Sequence, residues 1–123
     1  MASLEDRRNI RLLRGCSEIK WSRSLEDFGA LLASAMGLPP FEYDAENVYE
    51  WGQTLTENNH VEVNITRKHG GFNPPPGPIS VILLVSGEAP VEWNEQWITE
   101  HLLPQYEKAT FAIADSLNHL LIG

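Results

Sequence analysis

Apolar and polar residues alternate with period two from Val48 to Thr56, where Tyr49, Trp51 and Leu55 share one face, and from His60 to Lys68, where Val61, Val63 and Ile65 do the same. This alternation predicts two half-buried strands joined as a hairpin. A two-residue turn at Asn58-Asn59 would set Leu55 opposite Glu62 and Thr54 opposite Val63, and so put the two apolar sets on opposite faces. A three-residue loop of Glu57, Asn58 and Asn59 instead pairs Leu55 with Val61, Gln53 with Val63 and Trp51 with Ile65, with Asn59 in the left-handed conformation. The expectation is the second register. It leaves Val48, Glu50, Gly52 and Thr54, opposite Lys68, Thr66, Asn64 and Glu62, as a polar face.

The stretch from His69 to Pro78 is rich in Gly and Pro and reads as a loop, because proline has no N–H for a ladder. Ile79 to Val85 then forms a nearly unbroken apolar run, the pattern of a strand covered or paired on both sides. It is too short to cross a bilayer as a helix.

Helical spacing appears on either side of these strands. Leu25, Phe28, Leu31, Leu32, Ala35 and Met36 follow Ser24, which with Asp27 resembles a capping box; Gly37 and Pro39-Pro40 end the helix. Phe41 to Asn47 reads as an acidic connection into the sheet. Near the C-terminal end, Asn94 is placed to cap a helix through Gln96, Trp97, Ile98, His101 and Leu102, which Pro104 kinks or restarts. Ala109, Ile113, Leu117, Leu120 and Leu121 continue the apolar stripe. Residues up to Arg14 read as a short helix or a frayed arm, and Ser17 to Trp21 as a short extended segment. The expected fold is α+β, an antiparallel sheet of at least three strands packed with one helix from the N-terminal half and with C-terminal helices. A chain of 123 residues fits one domain, residues 1–23 being its loosely packed part.

Charge adds a direction to this frame. The formal net charge is -8, and no Lys or Arg occurs from Ser24 to Thr66, where Glu26, Asp27, Glu42, Asp44, Glu46, Glu50, Glu57 and Glu62 lie. Such a field repels nucleic-acid phosphates and steers basic partners inward, although solubility alone also favours acidic surfaces. Arg7, Arg8, Arg11, Arg14, Lys20 and Arg23 crowd the first segment. They lack interleaved aromatics and a basic face, so nucleic-acid binding is not expected. The lone Cys16 and the absence of an apolar leader at the N-terminus make a reducing cytoplasm the expected compartment, with no membrane association.

Chemistry-bearing motifs are sparse. His60, His69, His101 and His119 lack zinc-ligand spacing, and Asp44, Glu46 and Glu50 lack the loop that calcium coordination needs. No nucleophile elbow is present, and Gly70-Gly71 carries no phosphate-loop lysine. Neither metal nor cofactor is therefore expected. The large aromatics near the acidic stretch are mostly core payload. Trp51 and Trp93 are the candidates for exposed interface anchors, beside the acidic candidates Asp44, Glu46, Glu50 and Glu62.

The stretch FEYDAENVYEWG at 41–52, followed by VNITRKH at 63–69 and a terminal amphipathic helix, resembles the small immunity proteins of bacterial polymorphic toxin and contact-dependent growth inhibition systems. The resemblance implies a cytoplasmic, non-enzymatic protein that binds and neutralises one cognate toxin domain. These families are mutually diverse, and no set of binding residues carries over. Many toxin domains are nucleases with basic surfaces, which an acidic inhibitor would suit. A small metal-dependent or hydrolytic enzyme is the alternative class, and a secretion adaptor or chaperone the third.

Overall fold

The computed structural model describes residues 10–15, 18–46, 49–58, 60–68 and 77–122, with side chains from residue 12 to residue 115 of that set. Five strands form one antiparallel sheet in the order β1-β5-β4-β3-β2: β1 (Ile10–Gly15), β2 (Glu42–Glu46), β3 (Tyr49–Leu55), β4 (Val61–Lys68) and β5 (Ser80–Ser86). Helix α1 (Leu25–Met36) lies between β1 and β2 in the chain. After β5 come a single turn, α2 (Glu95–Trp97), a wide π-type turn (Ile98–Leu102) and the long α3 (Leu103–Ile122). The α+β expectation holds.

The apolar run becomes β5, flanked by β1 and β4, with Val81, Leu83 and Val85 fully buried. Alternation places these three opposite Ile65, Val63 and Val61 of β4, and both sets face the core. Phe28 and Leu32 of α1 and Tyr106 and Ile113 of α3 close over them from the same side. As expected, Ser24 caps α1 by accepting from Asp27 N at 3.1 Å, and Gly37 ends it at φ 65°, where a Cβ is disfavoured. Asn94 likewise caps α2, accepting from Trp97 N at 2.9 Å. Pro104 is absorbed by the wide turn before it: Leu103 donates back to Ile98 O, and the proline falls near the start of α3, where no N–H is required.

Three expectations are corrected. Ile10–Gly15 is a paired edge strand rather than a helix or frayed arm; the short extended segment expected after it does carry a bridge, from Ile19 to Ile79, and its Ile19 and Trp21 belong to the core. The acidic connection contains β2, whose alternating Glu42, Asp44 and Glu46 carry a period-two signal. The hairpin takes the register rejected above: Leu55 faces Glu62, Thr54 faces Val63, Gly52 faces Ile65 and Trp51 faces Thr66. Core cover over β3 therefore comes from elsewhere. A Cβ on Gly52 would lie 2.7 Å from Cε1 of Tyr43, and one on Gly29 of α1 would collide with the Tyr43 hydroxyl. The Tyr43 ring fills the space that Trp51 was expected to fill. Polar side chains seal the turn: Thr56 N donates to Val61 O at 2.9 Å, Val61 N donates to the Thr56 hydroxyl, and that hydroxyl donates to Asn58 Oδ1 at 2.7 Å.

The Gly70-Gly71 and proline portion of the loop, Val48, Asn59, His69 and Cys16 lie outside the described residues, as do the side chains of Leu117, His119, Leu120 and Leu121.

Tyr43 also carries a pH prediction. Its phenol donates to Glu26 O at 3.4 Å, and burial, then the nearby Glu26 and Asp27, raise its pKa above the ordinary 10.0. The folded state thus favours the neutral phenol, so this contribution to stability is complete below pH 10.0 and is lost as pH rises through the higher folded value. Thermal melts of wild type and Tyr43→Phe across this range should converge as the pH rises. Parallel curves would sink the assignment.

Candidate protein-binding surface

Among the described residues, β2 pairs with β3 on one side and with no strand on the other. All five of its residues are exposed, with Glu42, Asp44 and Glu46 on one face and Tyr43 and Ala45 on the core side. The ladder fixes which backbone groups remain outward. Because Thr56 N donates to Val61 O, the alternating pattern gives Thr54, Gly52 and Glu50 their bonds to β4, and turns Trp51 and its neighbours two away toward β2. Tyr43 and Ala45 then point N–H and C=O outward along the open edge. Asp44 Oδ1 accepts from Ala45 N at 2.8 Å, so one of those donors is met locally.

The acidic residues singled out in the sequence are not brought together as one patch. Asp44 and Glu46 share a face with Trp51 and Tyr49, their direct partners on β3. Glu50 sits on the opposite face, across from Arg67, and its charge acts on that guanidinium. Glu62 lies on β4 between Leu55 and Leu84; its Oε2 is shielded from water and has no hydrogen-bond partner among the described residues. Trp51 is half-buried. Trp93 is half-buried too, stacked on Trp97 at 4.5 Å and met edge-on by His60 at 5.1 Å, so it braces the hairpin turn against the last helices.

Two surface residues escaped sequence reasoning. Glu42 belongs with Asp44 and Glu46, and the acid alternation at 42–46 was the available signal. Tyr49, opposite Glu46 and 54 % exposed, is a better placed aromatic than Trp93. Its misplacement followed from the hairpin register.

A shallow groove of about 370 Å³ lies between the end of α1, the hairpin turn and the start of α3. Leu38, Leu102 and Tyr106 line it together with Glu57 and Gln105. Gln105 uses its amide N–H to donate to His101 O at 2.7 Å, which leaves its amide oxygen as an acceptor. Among the described residues, no three His, Cys, Asp or Glu side chains converge as a metal-ligand set, and no helix is long and apolar enough to cross a membrane.

No family model, curated protein or solved structure matches this chain. The site is therefore read from its own chemistry.

Proposed function

We propose that this chain is a binding protein that neutralises one cognate toxin domain, as the bacterial immunity proteins it resembles do, and that the domain is a nuclease with a basic surface. The observation that carries the reading is β2: a sheet edge with no further strand beside it among the described residues, exposed at every residue, with three carboxylates on one face beside Tyr49. Carboxylates spaced along a strand present negative charge at intervals a phosphate-binding surface accepts, and they raise the encounter rate with it. An exposed tyrosine beside them supplies apolar contact area with little entropy to lose. Glu50 and Glu62 are left out of this surface by their placement.

The test begins by capturing the partner from the native host and measuring association rates. Asp44→Lys combined with Glu46→Lys should slow association by about tenfold at low salt and flatten its salt dependence, since attraction between exposed charges is screened over ~8 Å at physiological ionic strength. Stability should change by less than about 1 kcal/mol, because both residues are exposed. An unchanged low-salt rate in a folded variant removes β2 from the interface.

A further inference from the structure

The groove beside the hairpin turn has a chemistry that the acidic edge does not explain. Among the described residues its lining contains no Lys, Arg or His and a single carboxylate, Glu57. The end of α1 opens into it. The last four carbonyls of a helix lack intrahelical partners. Here Gly37 N and Leu38 N both return to Ala33 O, which leaves the carbonyl of Met36, a residue that lines the groove, without a partner in the helix. This end carries the negative pole of the helix, yet its last turn holds no basic residue. The space in front of it is open, since a Cβ on Gly37 would meet nothing within 4 Å.

Below these acceptors the floor is apolar, with Leu38, Leu102 and the buried Tyr106 ring. An alkyl stem suits that floor. A planar cation at the end of the stem would meet the Glu57 carboxylate, the amide oxygen of Gln105 and the Met36 carbonyl, all of which accept hydrogen bonds. We propose that this groove receives one extended cationic side chain, an arginine presented by the protein partner. The proposal rests on the protein-binding reading above and adds a separate subsite to it. Arginine is favoured over lysine because its fork of donors can serve acceptors on two sides at once.

The site is tested without the partner, using N-acetyl-arginine methylamide as the probe and two-dimensional amide NMR of the whole chain at constant ionic strength. Saturable shifts are expected at Gly37, Leu38, Glu57 and Gln105. N-acetyl-norleucine methylamide, which has an alkyl stem and no charge, should bind at least about tenfold more weakly. Glu57→Gln should weaken arginine binding by at least about threefold and Glu57→Lys should abolish it, while the Asp44→Lys and Glu46→Lys pair should leave it within about twofold. Equal binding of the two probes, shifts confined to Glu42, Asp44 and Glu46, or no saturation up to about 50 mM would each overturn the proposal. Because the probe is not the partner, failure to capture a basic protein would count against the function above and leave this result standing.

Discussion

Replacing Arg67 with alanine is expected to destabilise the fold by about 3 to 5 kcal/mol, through loss of charge-assisted bonds and the stranding of their acceptors. Arg67 is 3 % exposed near the end of β4. Its Nε and Nη2 donate to Gly77 O at 3.1 and 3.0 Å, its Nη1 donates to Arg23 O at 2.7 Å, and Nη2 also donates to Trp21 O. One side chain thus ties the approach to α1 and the approach to β5 onto the sheet. Burial lowers its pKa from the ordinary arginine value, and the Glu50 charge opposes that shift. The guanidinium still remains ionised near neutral pH. Arg67→Met keeps most of the stem and removes every donor, so urea unfolding should still show a loss of at least about 2 kcal/mol. Arg67→Lys should recover less than half of it, because a single ammonium cannot reach three separated carbonyls. A loss below about 1 kcal/mol for the methionine variant would show that water replaces these bonds at little cost.

Leu83→Ala should cost about 2 to 5 kcal/mol, the range for a large aliphatic deletion that leaves a cavity. Leu83 is fully buried on β5 between Arg14 of β1 and Val63 of β4. A strand with neighbours on both sides cannot shift to fill the void, so the upper part of the range is expected. Ile113→Ala on α3 should lie nearer about 2 kcal/mol, because Ile113 is 7 % exposed and a helix can settle toward the sheet. Losses well below about 1 kcal/mol at both positions, measured by denaturant unfolding with an unchanged slope, would contradict the packing.

The hairpin shows where one-dimensional pattern stops. Its two apolar sets were assigned to a common face because each strand alone shows period two. In the fold only Val61, Val63 and Ile65 face the core, while β3 presents Gly52 and Thr54 there and Tyr43 of β2 supplies the missing bulk. The sequence admits the correct register, but pairing by pattern alone favours the other, because it supposes that neighbouring strands cover each other. A glycine on the inner face was the overlooked signal, since it admits a ring from another strand.

Features decided within a few residues were legible in the sequence: Ser24 and Gly37 bounding α1, Asn94 capping α2, the apolar run of β5, and the acidic bias from Ser24 to Thr66. Their causes are local, because a cap bonds a neighbouring N–H and a buried strand must be apolar whatever it packs against. The tertiary structure alone decided which β3 residues join the alternating carboxylates at 42–46. It set Trp51 and Tyr49 beside Asp44 and Glu46 and turned Glu50 away toward Arg67, through a register that depends on Tyr43 crossing over Gly52 to reach Gly29. It also made the groove, whose walls come from residues far apart in the chain and meet only when α1, the turn and α3 pack together. Such pairings depend on shape complementarity between distant segments, which no local spacing encodes.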